Sequence, residues 1–363
     1  LMSEFQYVGF RAIDAPLSDR QLEYMETQST RAEITRWSFD NEYHYGDFRG
    51  DPVEMLRRGY DVHLHYANFG IRRVMFRLPQ GLPASKALCS KYMDGENVQW
   101  KADPKGPAGI LTVSAMSEPG TLDELWDVDQ YVDRLVGVRQ QLFDGDLRPL
   151  YVAWLCGCQN DEVNPDSASE PPVPAGLDEL SAAAAAMLEF FDVSPFFLAA
   201  AAESSPPLPQ RTDQNDAMVN WLRSFRVATL REWVFRFLVD EPAVVRTECL
   251  QAFRKSNPIP EWLVCKGTRT LAELAQRADQ LLKAERVKEE KRKQQARRRR
   301  LIDMAKSHDK YLDEVNQHVA MRGRDHYEEA AQILSDLRDA VGGPEGEKIA
   351  RKHAAHLKKK HPT

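Results

Sequence analysis

The sequence lacks any long apolar run. Its apolar segments do not exceed seven residues, as at 182–188 and 196–202, whereas a helix that spans a bilayer needs about 20. Apolar residues nevertheless make up 42% and charged residues 29% of the 363 residues, which is typical of folded proteins and not of disordered chains. We therefore expect a protein that does not cross a membrane and has enough apolar material for at least one core.

Cysteine is also scarce. The five cysteines are an odd number, and Cys156 and Cys158 form a C-x-C pair instead of the C-x-x-C that is typical of redox and zinc sites. The first residues contain no basic segment followed by an apolar one, as a secretion signal would. These features argue against a disulfide scaffold and predict buried thiols in a cytoplasmic protein.

No complete catalytic or nucleotide-binding motif is present. The sequence contains no G-x-x-x-x-G-K-[ST], G-x-G-x-x-G or H-E-x-x-H pattern, and no G-x-S-x-G nucleophile elbow. The absence of these motifs favours a protein that is not an enzyme, and we expect no cofactor.

The order of local patterns predicts an α+β N-terminal domain followed by a mainly α-helical region with a long C-terminal charged helix and a helical hairpin. The clearest strands are Tyr60–Tyr66 and Ile71–Leu78, which the turn residues 67–70 join into a β-hairpin. Later in the chain the apolar residues recur at helical spacing. One long amphipathic helix is predicted over 213–239.

Changes in composition divide the chain into four parts. We predict an α+β domain with a mixed antiparallel sheet at 1–158, an acidic, proline-rich linker at 159–176 and a helical domain at 177–268. The remaining residues, 269–363, are expected to hold a long basic helix, a helical hairpin and a basic tail. Residues from Tyr7 to Leu78 resemble bacterial proteins that have no assigned role, and this resemblance implies no activity, cofactor or site.

The C-terminal part combines a helix start with an absence of helix breakers. Thr270 and Glu273 have the spacing of a capping box, and no Gly or Pro follows until Gly323. This predicts a helix of about 50 residues, or about 75 Å at 1.5 Å per residue. Its apolar stripe stops at 283–300 and then resumes with a heptad pattern typical of a coiled coil, after which a second helix is expected to fold back as a hairpin.

Charge is distributed unevenly along the chain. Residues 269–363 carry 23 Lys and Arg against 16 Asp and Glu, whereas residues 1–268 carry 26 against 39. Such asymmetry is typical of chains that contact nucleic acid or an acidic partner. The strongest basic segment, which we predict to contact a partner, consists of Lys291, Arg292, Lys293, Arg297, Arg298, Arg299 and Arg300.

Three interpretations of this basic segment remain open. It can present a charged surface to another protein, bind nucleic acid without sequence specificity, or act as a solvated spacer helix. We favour the first, a non-enzymatic protein-interaction or assembly factor that presents a basic helical arm to a macromolecular partner. The alternative is sequence-nonspecific nucleic-acid binding. We expect no sequence specificity because the segment has no aromatic residues that could stack on bases.

Three histidines indicate a second alternative. His63 and His65 are expected to project from the same face of a strand. Together with His44 they can form a metal site, because imidazole is a ligand for zinc, iron and nickel. A metal-dependent hydrolase or nuclease centred on these residues is therefore the second alternative. The competing interpretation is the polar, solvent-facing half of an antiparallel strand.

Overall fold

The chain forms two compact units, which we call the body (Leu1–Leu281) and the C-terminal unit (Leu282–Thr363). The computed structural model describes residues 4–44, 46–106, 108–116, 125, 127–158, 163–208, 214–239, 242–257 and 261–360. The predicted fold class is confirmed, since an antiparallel sheet in the first part of the chain is followed by helices up to the end of the described residues.

The body is built on a seven-stranded antiparallel sheet. Its strands are β1 (Gln6–Arg11), β2 (Glu33–Ile34), β3 (Ser38–Tyr43), β4 (Val62–Ala67), β5 (Ile71–Leu78), β6 (Val98–Ala102) and β7 (Gly109–Met116). They follow the order β2-β3-β1-β4-β5-β7-β6. The predicted hairpin is confirmed as β4 and β5, which pair from Val62 opposite Phe76 to Ala67 opposite Ile71.

Helices cover both faces of this sheet. The helices that begin in the body are α1 (Asp19–Glu26), α2 (Pro52–Arg58), α3 (Lys86–Cys89), α4 (Asp129–Phe143), α5 (Arg148–Gly157), α6 (Ala182–Phe190), α7 (Pro195–Ala202), α8 (Gln214–Arg223), α9 (Val227–Val239), α10 (Pro242–Ser256) and α11 (Leu271–Lys306). Side chains of successive strand residues point to opposite faces. Tyr7 of β1 therefore joins the core under α4, α5 and α6, whereas Phe10 joins a second core with residues of α1 and α2.

The predicted helix over 213–239 is two helices. α8 ends at Arg223 and α9 begins at Val227, and residue 213 lies outside the described residues. Across the turn between the two helices, Trp221 of α8 and Trp233 of α9 stack with ring centroids 5.5 Å apart. The chain turns at Ser224, whose hydroxyl donates to the carbonyl of Trp221 at 2.6 Å.

The described part of the predicted linker at 159–176 packs into the body. Val173–Pro174 is a short strand, β8, that pairs with β9 (Val264–Cys265). Glu170 is buried and accepts hydrogen bonds from Tyr151 at 2.7 Å and from Arg269 at 2.6 Å. The acidic, proline-rich composition of this segment thus reflects a turn-rich path and one buried carboxylate. Residues 159–162 lie outside the described residues.

The C-terminal unit contains the second part of α11 and three further helices. These are α12 (His308–Met321), α13 (Arg324–Val341) and α14 (Gly343–Lys360). α12 and α13 form the predicted hairpin around a small core that includes Val315 and Leu337, and α14 adds Leu357 to the same core. The predicted basic tail is therefore largely a packed helix, which is also tied to α12 by a contact of 3.1 Å between His353 and Asn316.

The long helix α11 does not continue to Gly323 as predicted. It ends at Lys306, because the backbone of Ser307 leaves the helical region (φ −133°, ψ 45°). Serine side chains compete with the helical backbone for hydrogen bonds. The hydroxyl of Tyr311 also donates to Asp303 at 2.6 Å across this break. Among the described residues, no helix combines the length and the apolar character needed to cross a bilayer.

Candidate functional site

The basic segment lies on a fully exposed part of α11. Every residue from 283 to 300 is exposed and helical. The sequence explains both properties, since this stretch contains helix-forming Lys, Arg, Glu, Gln and Ala residues but no apolar stripe that packing could bury. The stretch that accounts for the net positive charge of the C-terminal unit is thus open to solvent.

One arginine fixes which side of α11 faces the helical bundle. Arg297 lies 3.6 Å from Asp336 and 3.8 Å from Asp339, both on α13. Met304, which lies about 340° further round the helix at 100° per residue, is fully buried in the core of the C-terminal unit. The side of α11 that carries Arg297 therefore faces α13.

The four arginines are not equivalent as a result. Measured from Arg297, residues 291, 292, 298 and 299 lie between about 100° and 220° round the helix. We call Lys291, Arg292, Arg298 and Arg299 the basic face. All four are exposed, and none of them makes an ion pair with a described residue. The other three residues of the predicted segment, Lys293, Arg297 and Arg300, lie within about 60° of Arg297.

The charge pattern changes along α11 just before the basic face. Glu285 pairs with Lys288 at 3.3 Å and Glu289 pairs with Lys293 at 2.8 Å, as is typical of a solvated helix held by pairs of opposite charge. After Glu290 no acidic residue follows until Asp303. A spacer helix needs no such excess of one sign, since like charges one turn apart destabilise a helix.

The structure places His63 in the core of the body. Its ring stacks on Phe10 with centroids 4.2 Å apart, and its Nδ1 donates to the carbonyl of Gly9 at 3.1 Å. Its Nε2 is buried and has no hydrogen-bond partner. Burial lowers the pKa of His63 well below its usual 6.5, and the neighbouring His65 adds to this shift. His63 is therefore a neutral core residue.

Of the other two predicted metal ligands, His65 lies beside His63, with ring centroids 6.4 Å apart, whereas His44 lies elsewhere. His65 lies 3.1 Å from Gln6, and burial together with Arg73 lowers its pKa to about 4. His44 is exposed, packs against Phe5 at 5.6 Å and lines a cleft with Tyr7. Since Tyr7 and Phe10 lie on opposite faces of β1, the structure does not bring the three imidazoles together. The alternation of side chains along β4 could not predict this, because His44 follows a different strand, β3, and lies on the opposite face of the sheet.

A different group of histidines was not predicted from the sequence. In the portion of the chain that the structure describes, the one group of three potential ligands within 4.8 Å of one another is His318, His326 and Glu329. Six of the nine histidines lie in residues 282–363, which was the available signal. The spacing matches no metal motif, because the group forms only when α12 and α13 pair.

A second exposed surface is apolar. On α9 the side chains of Val234, Phe235 and Leu238 are exposed, Leu238 to 79%. Exposed apolar patches of this kind are typical of contact surfaces. The sequence indicates the amphipathic character of this helix but not which of its sides the body leaves uncovered.

The chain matches no protein-family model, no curated protein and no solved structure.

Proposed function

We propose that this protein is a non-enzymatic interaction factor whose C-terminal unit presents the basic face of α11 to the phosphate backbone of a nucleic acid. The observation that carries the proposal is the set of four exposed cations, Lys291, Arg292, Arg298 and Arg299, on the side of α11 opposite Arg297. They extend over about 12 Å of helix at 1.5 Å per residue.

The chemistry of this face favours phosphate over a protein surface. Protein interfaces depend on a few apolar or aromatic anchors, and residues 288–300 include no aromatic residue and no large aliphatic one. Phosphate contacts need only positioned cations. The same absence of aromatics excludes base stacking as a source of affinity, so binding is expected to be independent of sequence. An acidic protein surface is the alternative partner.

The expected binding depends strongly on salt. Four phosphates neutralised on duplex DNA give a slope of about −3.6 for log affinity against log salt, or roughly a 150-fold loss between about 50 and 200 mM. The assay is fluorescence anisotropy of the full chain with a labelled duplex of arbitrary sequence, repeated with a second sequence and with a poly-glutamate competitor.

A charge-matched pair of variants tests the face itself. The first changes the four residues of the basic face to Gln. The control changes four cations on the other side of α11 to Gln, namely Lys283, Arg286, Lys293 and Arg300, and keeps the contact of Arg297 with Asp336. We expect the first variant to bind at least tenfold more weakly with a slope near zero, and the control to keep most of the affinity.

Two results contradict the proposal. One is the absence of binding by the wild-type chain at about 50 mM salt, where electrostatic binding is strongest. The other is an equal loss in both variants, which assigns the effect to net charge and not to the basic face. Binding of labelled poly-glutamate in the absence of duplex binding identifies an acidic protein as the partner.

We also infer a cytoplasmic location. All five cysteines are unpaired, and free thiols are typical of proteins in a reducing compartment.

A further inference from the structure

A tight turn brings two histidines and a glutamate together at one end of the hairpin in the C-terminal unit. His318 lies in α12, and His326 and Glu329 lie in α13. The chain reverses at Arg322 and Gly323, whose φ angles are 55° and 117°. Packing of Val319 and Ala330 in the core of this unit fixes the register of the two helices, and with it the approach of the three side chains.

The nitrogen and oxygen atoms of this group converge. Nδ1 of His318 lies 2.8 Å, and Nδ1 of His326 lies 3.7 Å, from the same carboxylate oxygen of Glu329. Both Nδ1 atoms are shielded from solvent, yet neither has a hydrogen-bond partner. The short distance from His318 to Glu329 therefore does not come with the orientation that a hydrogen bond requires.

Shielded polar atoms without partners destabilise a folded protein, because they lose their hydrogen bonds to water and gain none in return. A cation bound at the point where the three atoms converge would supply the missing partner for both imidazole nitrogens. Tetrahedral zinc with bonds of about 2.0–2.1 Å keeps its ligand atoms about 3.4 Å apart. The observed 2.8 and 3.7 Å lie on either side of that value.

We propose that His318, His326 and Glu329 bind a divalent transition-metal ion, with Zn²⁺ as the best fit. Two imidazoles and one carboxylate are a donor set for zinc and not for calcium or magnesium, which prefer oxygen alone. The half-exposed carboxylate leaves a fourth position to water. Since the ligands come from α12 and α13, the metal joins the two helices. This proposal does not depend on nucleic-acid binding.

The test measures metal binding to the full chain after a chelator has removed any metal that was already bound. We expect titration calorimetry with Zn²⁺ to show one site per chain, and Co²⁺ to give the visible absorption of a site with nitrogen and oxygen ligands. Zn²⁺ is also expected to raise the unfolding temperature, because binding to the folded state alone stabilises it.

Variants separate this site from adventitious binding. His326→Ala and Glu329→Gln should each weaken Zn²⁺ binding at least tenfold and abolish the thermal shift. The matched control is His353→Ala with His356→Ala, a neighbouring pair on α14 whose ring centroids lie 6.4 Å apart, and this variant should bind as the wild type does. Failure of the wild-type chain to bind Zn²⁺, or unchanged affinity in both site variants, overturns the proposal.

Discussion

The attachment of α11 to the body gives the sharpest test of the energetics. Glu170 accepts hydrogen bonds from Tyr151 at 2.7 Å and from Nη2 and Nε of Arg269 at 2.6 and 3.0 Å. The carboxylate is 1% and the guanidinium 18% exposed. Arg269 directly precedes the capping box in which Thr270 and Glu273 start the helix. This pair therefore holds the first turn of α11 in place.

Glu170→Ala leaves a partly buried guanidinium without its carboxylate and the fully buried Tyr151 without an acceptor. Removal of one partner of a buried ion pair costs about 3–5 kcal/mol. For a unit of this size that corresponds to a decrease of about 5–8 °C in the unfolding midpoint of the body. Glu170→Gln should cost less, since an amide oxygen still accepts from Tyr151.

Calorimetry of the full chain measures the midpoint, and hydrogen exchange reports whether the first turns of α11 open. The matched control lies on the same helix, where Arg277 makes a similar pair with Glu203 but both side chains are more than 40% exposed. Because exposed pairs contribute little, Glu203→Ala should leave the midpoint unchanged within error. Equal shifts for Glu170→Ala and Glu203→Ala would refute the assignment of the stabilisation to burial.

Two further predictions concern the body. The folded-state pKa values of His63 and His65 lie below the 6.5 of the unfolded chain, so the unfolded state binds protons first as the pH falls. Stability is then complete above pH 6.5 and decreases towards pH 4, by at most about 1.4 kcal/mol per pH unit for each histidine. Urea unfolding midpoints at pH 7 and pH 5 measure this loss of stability. His65→Gln should make the stability less dependent on pH, and an unchanged pH dependence in this variant contradicts the prediction. On α9, Phe235→Ser and Leu238→Ser should each change stability by less than about 0.5 kcal/mol, since both side chains are exposed; a larger loss in thermal denaturation would mean that another part of the protein covers them.

The sequence predicts local structure correctly where a few neighbouring residues determine the backbone conformation. Asp51 and Pro52 predict the start of α2, and the Asp51 side chain accepts from the N–H groups of Val53 and Glu54. The capping box at Thr270 likewise places the start of α11 correctly. Strands β4 and β5 follow from strand-forming residues and the turn residues between them, which are also local properties.

The helix breaks at Ser224 and Ser307 and the candidate sites could not be predicted from such local patterns. Neither Ser224 nor Ser307 stands beside a Gly or Pro, and both turns depend on contacts with residues further along the chain, such as Trp233 and Tyr311. The group around Glu329 requires the register of α12 against α13, which only the packing of their apolar side chains determines. Period and spacing describe one helix at a time.

For the same reason, the sequence indicated a basic segment but not a basic face. Four consecutive arginines point round the whole circumference of a helix, so the sequence alone assigns no function to any one of them. Asp336 and Asp339 on α13 remove this ambiguity, because they pair with Arg297 alone among the four. That contact turns Arg298 and Arg299 away from the bundle. Substitution of Asp336 and Asp339 by Asn frees Arg297 and removes two negative charges beside α11, so it should not weaken the proposed binding to nucleic acid, and the cations of the basic face would still set most of the slope against salt.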